Sequence, residues 1–170
     1  MIAFTPARLE DAQRLAETRQ KVWAATYRGI YPDEWIDAYD LAAHTAQDIR
    51  RIKNPENRVY LAMDGASCVG YLYFGPLTRG PYKDFQMCLN SLYFLPDYQG
   101  KGLGRRAFAL VSAECRRRGI DKFYCGCHPD NLPARSFYIH MGGVLGRENL
   151  GHENRAEDSV EYEFYLGETE

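Results

Sequence analysis

Apolar positions in the first third of the chain recur at helical spacing, and in the middle they bunch at strand spacing. After a short opening strand at 2–4, closed by Thr5-Pro6, the positions Leu9, Ala12, Leu15, Ala16, Val22 and Trp23 predict a helix over 9–27. Gly29-Ile-Tyr-Pro32 breaks it. Pro32, with Asp33 and Glu34 next, opens a second helical region through Trp35, Ile36 and Tyr39 and again over about 42–52. Asn54-Pro-Glu-Asn57 is a turn. Strand-like runs at 58–63 and 68–74 flank Asp64-Gly65, a hairpin signal. A loop over 75–81, with Pro76, Gly80 and Pro81, leads into a central strand over 85–95.

The second half begins with an amphipathic helix over 103–118, carrying Leu103, Ala107, Leu110, Val111 and Ala113 and closed by Gly119. A strand over 120–127 follows, then a short helix through Met141 ended by Gly142-Gly143. Closing strands at 144–147 and 160–166 surround a polar loop. The order βααβββαβαββ, with no repeat, low-complexity tract or linker, describes a single mixed α/β domain over 1–170.

Composition narrows the class. The 170 residues, 45% hydrophobic and 26% charged, suit a single domain with a sizeable core. A formal net charge of -2 gives no electrostatic case for nucleic acid or an anionic membrane. No apolar run approaches a membrane span and no signal pattern opens the chain, so a cytoplasmic protein with no membrane partner is expected. Cys68, Cys88, Cys115, Cys125 and Cys127 form no CxxC pair, so no metal site is expected. Cys125 and Cys127 share one face of their strand and read as buried, reduced thiols. Thirteen tyrosines supply apolar area with a polar tip, useful in a small-molecule cleft and equally useful on a surface.

The stretch from Leu89 to Arg106 carries the chemistry. An apolar strand stops at Pro96, enters a turn containing Gly100, Gly102 and Gly104, and opens a helix. Backbone N–H groups at such a turn, with the positive end of the helix dipole, suit a pyrophosphate. No Lys-Ser or Lys-Thr follows the glycines, which speaks against a P-loop. The Gly100-Lys-Gly-Leu-Gly104 spacing and its mid-chain position do not match a dinucleotide fingerprint. The bland alternative is a tight strand–helix connection.

Gln99-x-x-Gly102-x-Gly104 after a strand resembles the acetyl-CoA signature of the GCN5-related N-acetyltransferase (GNAT) family. A second segment, Asn131-Leu-Pro-Ala-Arg-Ser-Phe-Tyr-Ile-His-Met-Gly-Gly143, is similar to the one that follows the fifth strand in that family, matching at Asn131, Ala134, Phe137, Tyr138 and Gly142. Gly143 departs from the usual aromatic. The resemblance runs from Val59 onward and implies a mixed, mostly antiparallel sheet of about seven strands, flanked by about four helices, with splayed central strands. It implies acetyl-CoA as cofactor. The pantetheine arm would lie along Leu92, Tyr93 and Phe94, like an added strand. Gln99 belongs to the signature, and Gly100, Lys101, Gly102, Leu103, Gly104 and Arg105 would surround the pyrophosphate with backbone N–H groups. Lys101 and Arg105 would also screen phosphate charge, or are solvated surface. Asn131 would hydrogen-bond the arm, cap the next helix, or do both.

Acetyl transfer to an amine needs an uncharged nitrogen, a stabilised oxyanion and a proton for the leaving thiolate. A backbone N–H near Phe94 would meet the oxyanion. The resemblance implies Tyr138 as the proton donor. A base is harder to find, because the central strand offers Asn90 and Ser91, and Asp84 stands at its start. His128, just beyond the fifth strand, is the candidate, since an unperturbed imidazole titrates near about 6.5. Its alternative is a loop hydrogen-bonder, while His140 is expected at the surface. Trp23, Tyr27, Tyr31 and Trp35 surround the Gly29 break in a segment resembling one in amine, polyamine or ribosomal-protein-type members. Tyr27, Tyr31, Glu34 and Tyr73 are therefore the expected acceptor residues, with Tyr73, Phe74 and Tyr82 near the third-strand loop expected to close the other wall. Asp33 and Glu34 would attract a cationic amine or simply start a helix.

The function expected is an acetyl-CoA-dependent N-acetyltransferase acting by direct attack in a ternary complex on a small amine or a protein amino group. Cys125 or Cys127 as a covalent carrier is the lesser mechanism. The alternative is an acyl-CoA-binding sensor on the same fold. Monomer and homodimer are both open.

Overall fold

The structure is a computed structural model that describes residues 1–76 and 82–167. Most of the loop expected at 75–81 lies outside the described residues. The strands are β1 (Ala3–Pro6), β2 (Arg58–Asp64), β3 (Ser67–Gly75), β4 (Cys88–Phe94), β5 (Lys122–Cys127), β6 (Val144–Asn149) and β7 (Ser159–Tyr165). The helices are α1 (Ala12–Tyr27), α2 (Asp33–Asp37), α3 (Leu41–Lys53), α4 (Leu103–Arg117) and α5 (Leu132–His140). The strands form one sheet in the order β1-β2-β3-β4-β5-β7-β6. Every neighbouring pair is antiparallel except β4 and β5, which run parallel.

Element bounds shift by a few residues from the sequence expectation, and two of the differences have clear local causes. The second helical region is two helices, giving five rather than about four, because the Asp40 side chain accepts the Ala43 N–H at 2.9 Å and starts α3 afresh. The central strand begins at Cys88, not at 85. Phe85 N–H closes a turn onto the Tyr82 carbonyl at 3.1 Å, and both rings pack on Tyr124.

Strand alternation divides the interior. Leu72 and Phe74 of β3 face α4 and α5, where they meet Ala107, Phe108, Val111 and Tyr138. Tyr71 points the other way, into Leu15 and Val22 of α1. Among the described residues no helix is long and apolar enough to cross a membrane.

The gap between β4 and β5 positions the site. Tyr73 pairs with Ser91 and Phe74 with Leu89, so Asn90 is an extra, bulged residue in β4. Such a bulge bends the strand and increases its twist. β4 and β5 pair only at Cys88↔Tyr124 and Leu89↔Cys125, then separate. The rest of β4 keeps β3 on one side and is unpaired toward β5.

Candidate active site

The splay opens a cleft of about 500 Å³ between β4, β5, the start of α4 and the face of α5. The glycine turn forms one end. Gly100 and Gly102 adopt φ +70° and +75°, the left-handed region where a β-carbon is disfavoured. The first helical hydrogen bond of α4 is the Arg106 N–H to Gly102 carbonyl at 3.2 Å. The N–H groups of Leu103, Gly104 and Arg105 precede it and have no partner in the helix. A β-carbon on Gly104 would lie 2.6 Å from the Phe137 ring. The glycine signature and the Asn131–Gly143 segment therefore meet at this contact. Gln99 Nε2 donates to the Phe94 carbonyl at 3.0 Å and ties the turn back to the end of β4.

Leu92, Tyr93 and Phe94 line the middle of the cleft on the unpaired side of β4, beside Leu103. Asn131 Oδ1 accepts the Ala134 N–H at 3.3 Å and caps α5 while its residue also lines the cleft. Gln99, Gly100, Gly102, Gly104 and Arg105 line it as well. Lys101 does not, and its ammonium sits 5.2 Å from the Tyr98 ring centre. These features fit an extended anionic ligand whose amides pair with β4 and whose phosphates meet the start of α4.

At the inner end Tyr138 is 7% exposed, and its hydroxyl faces Cys125, Cys127 and Tyr27. Burial pushes its phenol well above 10.0, with the neighbouring thiols adding to the shift, so the group stays protonated at neutral pH. Burial also pushes Cys127 up to about 11, and Cys125 well above the ordinary thiol range. Neither cysteine is an activated nucleophile. Tyr27 and Tyr93 join their hydroxyls at 2.7 Å, and Tyr31 stacks on Tyr27 at 4.6 Å.

His128 is 4% exposed and stands apart from the cleft lining. Its Nδ1 accepts the Asp130 N–H at 3.1 Å, so Nε2 carries the proton and donates to the Arg155 carbonyl at 2.9 Å. Both nitrogens are occupied, so this arrangement gives His128 a loop-fastening role and leaves no lone pair for an incoming proton. Tyr31 packs edge-on against it at 5.3 Å. Glu34 is exposed at the start of α2 and does not line the cleft. Asp33 is engaged by Arg28 at 3.0 Å. Tyr73 lies on the α1–α3 face, 4.9 Å below the Arg51 guanidinium, and not in the cleft.

Thr26, Gly126 and Phe137 line the cleft although sequence reasoning did not place them in the site. Gly126, inside the Cys125-Gly-Cys127 strand run, carried the clearest signal, since glycine within a strand marks a close approach.

The profile of the Acetyltransferase (GNAT) family matches residues 17–142. A spermidine N(1)-acetyltransferase of Thermoplasma acidophilum is 23% identical over 140 residues, 79% of this chain and 83% of the relative. The N-alpha-acetyltransferase RimI of Mycobacterium tuberculosis is 28% identical over 132 residues, 78% of this chain and 72% of the relative. The crystal structure of the PaiA N-acetyltransferase of Thermoplasma acidophilum, in complex with coenzyme A, superposes with a TM-score of 0.79 at 20% identity, covering 98% of this chain and 99% of that one. That likeness speaks for the fold. The profile match spans most of the chain and includes the glycine turn, the splayed strands and the Asn131–Tyr138 segment, so this chain belongs to the acetyltransferase (GNAT) family.

Proposed function

We propose that this acetyltransferase transfers the acetyl group of acetyl-CoA to a small primary amine by direct attack, both substrates being bound together. The observation that carries the reading is the divergence of β4 from β5 after Leu89 and Cys125, with the unpartnered N–H groups of α4 at its mouth. Leu92–Phe94 hold the pantetheine arm, the turn around Gly102 holds the pyrophosphate, and Tyr138 supplies the proton that the departing sulfur needs. The high thiol pKa values at Cys125 and Cys127 favour direct transfer over a covalent carrier. The spermidine acetyltransferase relative supports a small cationic acceptor.

The test is release of coenzyme A thiol from acetyl-CoA over a panel of diamines, polyamines, simple alkylamines and peptides with free N-termini. Turnover with a small amine supports the reading. Preference for peptides moves the acceptor to a protein amino group. Acetyl-CoA binding without turnover on any amine supports the sensor reading instead.

A variant isolates the donor site. The β-carbon of Gly102→Ala would meet nothing within 4 Å, so its effect comes from φ alone. A left-handed L-residue costs about 1–2 kcal/mol; the free turn is expected to relax out of that region and binding to restore it, so acetyl-CoA affinity is expected to fall about tenfold. Gly102→Asn, which tolerates this region, is expected to lose less. The ligand-induced rise in melting temperature measures both, and equal affinities for Ala, Asn and wild type would remove Gly102 from the cradle.

A further inference from the structure

Neither β4, the loop ahead of it nor the loop after β5 offers a base at the cleft. Asn90 and Ser91 are not basic, Asp84 is exposed, and both nitrogens of His128 are engaged. A carboxylate comes from the other side of β5. Alternation along β7 sends Val160, Tyr162 and Phe164 into the core beneath α4 and α5, and Glu161 to the opposite face. Glu161 pairs directly with Gly126, which lines the cleft. A β-carbon on Gly126 would sit 3.4 Å from Glu161 Cγ, so the missing side chain leaves room for the carboxylate beside the gap.

Its two oxygens differ. Oε1 accepts from Ser159 Oγ at 2.8 Å, which fixes the group. Oε2 is buried with no hydrogen-bond partner among the described residues, and the Tyr82 hydroxyl is in the same condition. Glu161 is the charge that acts most strongly on Tyr82. The Tyr82 ring stacks on Tyr124 at 4.2 Å and 18°. A buried, unmatched polar atom has lost its water without a replacement, and a ligand donating hydrogen bonds offsets that loss. A cationic amine matches this arrangement: it donates to the carboxylate and the phenol oxygen and lies against aromatic faces.

We propose that Glu161 is the base that takes the acceptor's proton, and that Tyr82 and Tyr124 hold the acceptor beside it. This rests on the preceding reading that a primary amine is acetylated. The groups around Glu161 are Tyr82 ahead of β4, Cys88 on β4, Tyr124 and Cys127 on β5, and Glu163 on β7, with Arg147 of β6 opposite it in register. Glu161 takes one proton from the acceptor's ammonium. The freed lone pair forms the nitrogen–carbon bond as the carbon–sulfur bond breaks and its electron pair stays on sulfur. Tyr138 protonates the sulfur and recovers a proton from the nitrogen, and Glu161 releases its own to water. One ammonium and one thioester become one amide, one thiol and one proton.

Glu161→Gln in the full chain tests this, with the amine that wild type acetylates best. Its kcat is expected to fall about 100-fold or more at neutral pH. The rate of the variant should then climb with pH as free amine becomes abundant, and climb more steeply than that of wild type, which has a group to take the proton. The acetyl-CoA-induced melting shift should be unchanged. Glu161→Asp should restore part of the rate and the wild-type pH profile, and it decides the matter if the Gln variant folds poorly. Turnover within about threefold of wild type, or a loss that keeps the wild-type pH profile, overturns the assignment. A wild-type protein that binds acetyl-CoA yet acetylates no amine fails at the earlier reading, before any variant is compared, and takes this proposal with it.

Discussion

Tyr138→Phe is expected to lower kcat by about 100-fold or more while leaving the affinity for acetyl-CoA and the melting temperature nearly unchanged. The ring has a separate packing job from the hydroxyl. Its contacts with Phe108 at 6.3 Å, Tyr162 at 5.7 Å and Phe164 at 6.4 Å between ring centres survive in phenylalanine. Only the buried O–H beside Cys125 and Cys127 is lost, and with it the proton proposed for the departing sulfur. The sign of the pH dependence follows from the same burial. The phenol is held above 10.0, so its protonated, working form persists through neutral and mildly alkaline solution. Wild-type kcat should therefore show no fall from this group below about pH 10. Steady-state thiol release across pH checks both statements, and unchanged turnover in the variant would remove the proton-donor role.

The glycine turn and the Asn131 cap were legible in the sequence because their signals are local. Gly100, Gly102 and Gly104 lie within one turn and Asn131 caps its own helix, and the family resemblance marked both segments as the proposed donor half. The splay was legible only through the resemblance. Its geometric basis is the Asn90 bulge, and nothing in the composition of the β4 stretch marks one residue as extra. Of the acceptor half proposed above, only Tyr82 was legible, as an aromatic residue near the loop after the third strand. Gly126, Tyr124 and Glu161 come from two further strands, and only the pairing of Gly126 with Glu161 sets the carboxylate beside the glycine that lines the cleft. The alternation in Ser159–Tyr165 was visible as a strand, but a strand pattern does not say what its polar face looks at.

His128 shows the converse. Its position after β5 was right, yet proximity along the chain says nothing about hydrogen-bond partners. The Arg155 carbonyl that occupies Nε2 lies 27 residues away. Tyr73 was placed by nearness to a loop, while strand parity sends it to the α1–α3 face under Arg51. In each case the missing information was tertiary.

The same limit hid the contact that holds α1 over the sheet, and with it the Thr26 and Tyr27 end of the site. Arg19 of α1 and Asp48 of α3 are 3% and 0% exposed and pair at 2.7 Å. Arg19 Nε also donates to the Tyr71 hydroxyl at 3.2 Å, and Arg51 reaches Asp48 at 3.1 Å. Arg19 Nη1 and Asp48 Oδ2 have no partner among the described residues, so desolvation is incompletely offset. A pair of this kind contributes little net stability relative to apolar residues, but losing one partner strands a buried charge. Asp48→Ala is therefore expected to destabilise the fold by about 3–5 kcal/mol. For a chain of this size that corresponds to a melting-temperature drop of roughly 6–20 °C. Asp48→Leu combined with Arg19→Met should recover most of the loss, because both charges then leave together. Thermal and urea unfolding of the single and double variants decide it. A single-variant cost below about 1 kcal/mol, or a double variant no better than the single, would show that the pair is solvated and does not anchor α1.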